Sequence, residues 1–311
     1  MRRTAVVLIA PLLAVAVLSG CGAGSAKSST AGKSQSSKDG LPAVSGAYGS
    51  KPTFTFPTPT APAGLKSQVL REGTGPVVQK GDLLVADYLG QVWGGKVFDN
   101  SYDRKTVAGF VIGKGKVITG WDDVLVGAKA GSRVLMSLPP DKGYGAAGNS
   151  QAGIKGTDTL VFVVDIVASY GSKVAGDPKA AVQKVSPSGV TVAGPLGGVP
   201  TVAVAKGAAA PKAPVVTLLA KGSGAAVTAG LIVVQYVATT FDGKTAGSTF
   251  ADGSPAAVPV SVGGNGTPFD AIKGLPLGSR LLLTVPGTNG QQAVAVAVDL
   301  IAQPKTAAAT G

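Results

Sequence analysis

The sequence predicts an α+β protein of two domains, each built mainly from antiparallel strands with one short helix. Three observations lead there. Gly and Pro number 46 and 21, while aromatic residues make up only 5%, a balance that favours turn-rich sheet over helix bundles. Short apolar runs rich in Val and Leu recur between Gly turns, as in LLVADYL and TLVFVVDIV. The pattern also repeats once within the chain, and 311 residues are enough for two cores.

The same composition excludes much chemistry. His is absent, which removes imidazole bases, Ser-His-Asp and Cys-His arrangements and most zinc sites. A single Cys rules out intrachain disulfides and Cys-based metal clusters. No cofactor and no metal is expected. The formal charge of +12 comes from Lys and Arg scattered among Gly, Ser and Ala rather than striped with aromatics, so nucleic-acid binding is not expected.

The N-terminus reads as an address. Arg2-Arg3 precedes an apolar run from Ala5 to Leu18, interrupted by Pro11 and short for a membrane span. Residues 1–20 are expected to be a signal peptide. Leu18-Ser19-Gly20-Cys21 resembles a bacterial lipobox, which implies lipidation of Cys21 and anchoring on the extracytoplasmic face of the bacterial cell membrane. Residues 21–43, mostly Gly, Ala, Ser and Lys, cannot bury a core and are expected to be a flexible tether.

The repeat follows. GAYGSKPTFTF (46–56) aligns with GPLGGVPTVAV (194–204), and the same offset of 148 places Tyr88 on Tyr236, Lys96 on Lys244 and Trp121 on Phe269. Ser132-Arg133 falls on Ser279-Arg280, and Asp165 on Asp299, after a loss of about a dozen residues. The expected units are a first domain at 44–172, a linker at 173–189, a second domain at 190–304 and a disordered tail at 305–311. Asp177-Pro178 is expected to open a short helix in the linker.

Within the first unit, Leu83–Leu89, Arg133–Leu138 and Leu160–Val167 read as strands. Residues 120–127, GWDDVLVG, read as one helix. Its first-turn Asp122 and Asp123 suit the helix dipole, and Gly127 ends it.

The segments VADYLG, GGKVFDNSYDR, GKGKVITGWDDVLVG, DKGYGAAG and TLVFVVDIV together resemble the FKBP-type peptidyl-prolyl cis-trans isomerases over roughly Leu65 to Tyr170. The resemblance implies a curved antiparallel sheet on one short helix and an isomerase of X–Pro bonds. It implies Trp121 as the pocket floor, with Tyr88, Phe98, Val117, Ile118 and Phe162 as walls. It implies that the Ile118 amide and the Tyr144 hydroxyl bond substrate carbonyls, and that Asp99, paired with Arg104, lies near the rotating carbonyl. Asp99, Tyr144 and Trp121 are the candidate catalytic residues.

Two positions depart from that pattern. Ala108 stands where a wall aromatic is usual, with Phe110 close enough to replace it, and Asn149 falls where a His is common. Both bear on substrate preference and macrolide affinity. The second unit departs further. Phe98-Asp99 becomes Ala246-Gly247, Val117-Ile118 becomes Asn265-Gly266, Phe162 becomes Val296, and the Tyr144 loop shrinks to 287–290. It is expected to be a degenerate copy without activity. The expected partners are proline-containing exported polypeptides, the membrane through the lipid, and FK506-like macrolides. The alternative is a non-catalytic envelope lipoprotein that holds unfolded or extended segments.

Overall fold

The computed structural model describes residues 39–171, 174–185, 187–250, 258–264, 267–288 and 290–307. They are mostly antiparallel sheet with one α-helix. Cys21 and the apolar run before it lie outside the described residues, as do Asn265 and Gly266.

The chain opens with a hairpin, β1 (Ala43–Ser45) and β2 (Thr53–Thr55). A six-stranded sheet follows, made of β3 (Lys66–Arg71), β4 (Leu83–Val92), β5 (Val97–Asn100), β6 (Ala108–Val111), β7 (Arg133–Leu138) and β8 (Leu160–Tyr170). Its order is β3-β7-β8-β4-β5, with β6 also on β4. The helix α1 (Thr119–Leu125) enters between β6 and β7.

Both faces of this sheet are covered, which explains the near-continuous apolar runs of β4 and β8. Alternate residues point to opposite sides. Leu84, Ala86 and Tyr88 of β4 and Phe162, Val164 and Ile166 of β8 pack with Trp121 and Leu125 of α1. Val161 and Val163 face the other way, onto Leu41 and Val44 of the opening hairpin region.

A buried ion pair ties hairpin to sheet. Arg133 and Asp165 oppose each other across β7 and β8, with Nε 2.6 Å from Oδ1 and Nη2 2.8 Å from Oδ2. The same guanidinium donates to the carbonyls of Gly46 and Ser50. Nearby, the Gly73 amide donates to the Ser132 hydroxyl at 2.8 Å. A Cβ at Gly73 would sit 2.2 Å from the Ala130 carbonyl oxygen, so the close approach requires glycine.

The rest of the chain parallels this arrangement. A two-residue strand β9 (Ala181–Val182) precedes a second hairpin, β10 (Val190–Ala193) and β11 (Thr201–Val204). Then come β12 (Val215–Lys221), β13 (Gly230–Thr240), β14 (Thr245–Ser248), β15 (Val258–Val262), β16 (Arg280–Val285) and β17 (Val294–Ala302). The sheet order is β14-β13-β17-β16-β12-β9 with β15 on β13. Apart from β9 this is the connection order of the first sheet. Arg280 and Asp299 repeat the buried pair at 2.7 Å, and Arg280 reaches the carbonyls of Pro195 and Gly198 in the second hairpin.

The two sheets share an apolar cluster, and equivalent residues supply both sides of it. Leu83, Val85 and Val167 meet Leu231, Val233 and Ile301. This self-matched patch is the arrangement of an isologous dimer inside one chain.

Four expectations change. Asp177-Pro178 opens a turn, not a helix: the Asp177 carboxylate accepts from the Lys179 amide, and the chain then runs into β9. The 173–189 segment is therefore no free linker, because β9 adds to the edge of β12. The tail is docked as far as Ala307, which is buried and donates its amide to Asp87 at 2.7 Å. Order also begins before residue 44, since Leu41 is buried under the first sheet. In the second sheet a short 3-10 helix, Pro268–Ile272, replaces the α-helix. Pro268 lacks an amide donor, and Gly274, at φ +86°, turns the chain away.

Candidate active site

One cavity of about 150 Å³ opens beside α1, lined by Tyr88, Phe98, Asp99, Phe110, Val117, Ile118, Trp121, Tyr144 and Phe162. Sequence reasoning had named each of them. They come from six places in the chain: β4, β5, β6, the loop into α1 with its first turn, the loop after β7, and β8.

Trp121 lies 3% exposed on the first turn of α1 and forms the floor. Three rings pack edge-on around it, with Phe110 at 4.7 Å, Phe162 at 5.4 Å and Tyr88 at 5.7 Å between centroids. Phe98 continues the wall through Phe162, at 5.6 Å and 81°. Edge-to-face contacts of this kind hold rings in fixed orientations. The Trp121 indole N–H is buried without a partner among the described residues. Such a group costs about 1–3 kcal/mol, which marks the floor as shaped for its cavity rather than for stability.

Phe110 fills the wall place left open by Ala108. The two residues share a face of β6, opposite Leu84 and Ala86 of β4. Asn149 lies away from the cavity and accepts from the Ala152 amide at 3.2 Å, closing a turn in the loop after β7.

The polar rim is a closed triangle. The Tyr88 hydroxyl donates to Asp99 Oδ2, Arg104 Nη1 donates to Asp99 Oδ1 at 2.5 Å, and Arg104 Nη2 donates to the Tyr88 hydroxyl oxygen at 2.9 Å. Burial, followed by the hydrogen bond to Asp99, raises the Tyr88 phenol well above its ordinary value. Asp99 and Arg104 are each partly exposed, where an ion pair adds about 0–1 kcal/mol to stability. Its consequence here is a carboxylate held in one orientation beside an apolar well.

Two donors are left open at the mouth. The Ile118 amide finds no acceptor among the described residues, and the Tyr144 hydroxyl makes no hydrogen bond there. Extended peptide carbonyls are the groups that such donors satisfy.

Three supporting residues escaped the sequence reading. Gly90 lies on β4 between two rings; a Cβ would meet Phe98 at 2.6 Å and Phe162 at 2.7 Å. A lone glycine inside a strand run was the available signal. Asp122, read as a helix-dipole residue, accepts from the amides of Gly113 and Gly115 at 2.6 and 2.8 Å and so shapes the loop that presents Val117 and Ile118. Asp123 binds Lys142 at 2.8 Å, tying α1 to the loop that carries Tyr144.

A dry aromatic well, a fixed carboxylate and two free donors form a site for turning a peptide bond without covalent chemistry. The profile of FKBP-type peptidyl-prolyl cis-trans isomerase matches residues 75–167, a span that holds every residue of the cavity. The FK506-binding protein of Streptomyces anulatus is 39% identical over 119 residues, which is 38% of this chain and 96% of that protein. The FK506-binding protein of Neisseria meningitidis serogroup B is 36% identical over 107 residues, 34% of this chain and 97% of that protein. The crystal structure of FkpA from Escherichia coli is 37% identical in sequence, with a TM-score of 0.32, over 34% of this chain and 48% of that one. The chain belongs to the FKBP-type peptidyl-prolyl cis-trans isomerases, and its activity is rotation of the X–Pro bond.

Proposed function

We propose that the cavity of the first sheet turns X–Pro bonds of exported proteins, and that Cys21 holds the chain by lipid on the outer face of the membrane. The second sheet is a degenerate copy without turnover. The single observation that carries the catalytic part is the Trp121 floor enclosed by aromatic walls, with Asp99 fixed on the rim.

The mechanism follows from amide resonance. Partial C–N double-bond character sets a barrier of about 20 kcal/mol to rotation. A planar amide concentrates negative charge on its oxygen, and a twisted amide has lost that resonance. An apolar well disfavours the more polar planar form relative to the twisted one. The Asp99 carboxylate near the carbonyl acts in the same direction, because it repels the more negative planar oxygen. Tyr88 and Arg104 hold that carboxylate before substrate arrives, so no reorganisation is needed during rotation. Trp121, Tyr88, Phe98, Phe110, Val117 and Phe162 hold the prolyl ring. The Ile118 amide and the Tyr144 hydroxyl hold the flanking carbonyls and leave the peptide bond as the part free to turn. These interactions accelerate rotation to the extent that they are stronger for the twisted state.

The export reading is supported by Arg2-Arg3, the apolar run to Leu18 and the single Cys placed after Leu-Ser-Gly. The inactive second copy is supported by Ala246, Gly247 and Val296 standing where Phe98, Asp99 and Phe162 stand in the first sheet.

The test is prolyl exchange by NMR on a short X–Pro peptide with the full chain. Acceleration that falls in Asp99→Ala and persists in Phe269→Ala supports one working site. A folded full chain without acceleration would leave a binding protein for extended segments.

A further inference from the structure

The shared face of the two sheets lies directly behind the wall of the cavity. Strand β6 is short and pairs only with β4. Its Phe110 points into the cavity, and its neighbour Gly109 points the other way. A Cβ at Gly109 would sit 2.9 Å from Pro259 Cγ and 3.0 Å from Pro259 Cβ. Pro259 lies on β15 opposite Val233, as Gly109 lies on β6 opposite Val85. These equivalent strands therefore meet back to back, backbone against proline ring.

Two further contacts hold the same stretch. Val107, just before β6, is buried in the cluster that contains Val233. Asp87 accepts from Ser101 at one oxygen, 2.8 Å, and from the Ala307 amide of the C-terminal segment at the other, 2.7 Å. Ser101 opens the loop that carries Arg104 to β6, and its hydroxyl accepts from the Tyr88 amide at 3.0 Å. The loop and strand that supply Arg104 and Phe110 are thus backed by the second sheet and its trailing segment.

We propose that the second sheet is a positioning element of the first site, with Pro259 setting the place of β6 and through it the Phe110 wall. This rests on the isomerase reading of the cavity and explains what a copy without its own pocket contributes. Pro259 touches no substrate. It acts by occupying the space into which β6 would otherwise relax, and Gly109 is the residue that allows the strand to lie against it.

The test is a double-variant cycle in the full chain, read by peptide affinity as well as by NMR exchange. Gly109→Ala puts a methyl where the Pro259 ring lies, and β6 shifts toward the cavity. Misplacement of a wall by a fraction of an ångström is expected to raise the peptide KM and Kd about tenfold with kcat nearly unchanged, since such a wall binds ground and transition states alike. Pro259→Gly alone is expected to raise them about threefold. In Gly109→Ala with Pro259→Gly the methyl takes the vacated space, and KM and Kd return toward the wild-type values. A purely structural effect would lower the active fraction, and so kcat, and leave KM alone. Wild-type affinity in folded Gly109→Ala overturns the inference, as does a Gly109→Ala defect that Pro259→Gly leaves in place. Because affinity is measured beside turnover, a full chain that binds without turnover sinks the proposed activity but still decides this inference.

Discussion

The first and second sheets keep the same frame and differ in what they surround. Arg133–Asp165 and Arg280–Asp299 are the same buried pair, each reaching two carbonyls of its own hairpin. Ser132 and Ser279 accept from the matching amides of Gly73 and Gly222. Ser101 and Thr249 bracket Tyr88 and Tyr236 in the same way. Around the cavity the agreement ends. The chain between β7 and β8, residues 139–159, folds into three 3-10 turns and presents Tyr144, whereas 286–293 joins β16 directly to β17. Residues that hold the sheet and residues that line the pocket are separate sets, so the second set can be lost while the first is kept.

The largest expected effects fall on the shared frame. Arg133→Met and Arg280→Met each leave a buried carboxylate without its partner, at a cost of about 3–5 kcal/mol. Urea unfolding of the two full-length variants should show losses of similar size. A small loss in only one of them would mean that the two clamps are not equivalent. Only Arg133→Met acts on the sheet that carries the cavity, so at moderate urea it should lose turnover first.

Next in size is the pocket. Phe162→Val copies the second sheet's residue into the first. It removes the ring that packs on both Trp121 and Phe98, and turnover should fall about ten- to a hundredfold, in keeping with a loss of about 1–3 kcal/mol for a large-to-small change. The reverse change, Val296→Phe combined with Ala246→Phe, should give the second sheet no turnover, because its short 286–293 loop supplies no counterpart of Tyr144. NMR exchange on the same peptide checks both, and acceleration gained by the reverse variant would break the separation of frame from pocket.

Tyr144→Phe is a smaller change. It removes one free hydroxyl from the mouth, a hydrogen bond worth about 0.5–1.5 kcal/mol, so a two- to tenfold drop in kcat/KM with unchanged stability is expected. An unchanged kcat/KM would remove the hydroxyl from substrate binding.

Much of this comparison was legible in the sequence, because the cavity is written in large aromatic residues and the frame in charged residues at fixed offsets. Trp121, Phe162 and Asp99 have few equivalents in a chain with 5% aromatics, so their order stood out. The contact face did not, since Leu83, Val85, Leu231 and Val233 look like any strand residues, and only tertiary structure shows that both ends of two sheets meet. Asp177-Pro178 carried a genuine capping signal, but the residues after it, Ala181 and Val182, found a strand edge to pair with, and pairing outweighed a weak local preference. The tail failed for the same reason: its Ala and Thr composition reads as unstructured, yet the backbone amide of Ala307 is what Asp87 binds, and no side chain announces that.

The smallest expected effect concerns the rim triangle, which the second sheet lacks because Gly247 stands where Asp99 stands in the first. The Tyr88 phenol is raised above its ordinary value, first by burial and then by donation to Asp99. In the unfolded chain a tyrosine loses its proton near pH 10. The folded chain keeps it longer, so the stability this group contributes is fully present below about pH 10 and is lost as pH rises further. Turnover should therefore be flat between about pH 6 and 9.5, since the phenol stays protonated across that range. Above about pH 10 the urea midpoint should fall, and in Tyr88→Phe it should fall less steeply, by the share of one proton. Asp99→Ala removes the hydrogen bond and leaves burial, so by ultraviolet absorbance its Tyr88 should ionise at lower pH than in the wild type. If Tyr88 titrates identically in Asp99→Ala, the carboxylate is not held by the phenol, and the fixed orientation of Asp99 must come from Arg104 alone.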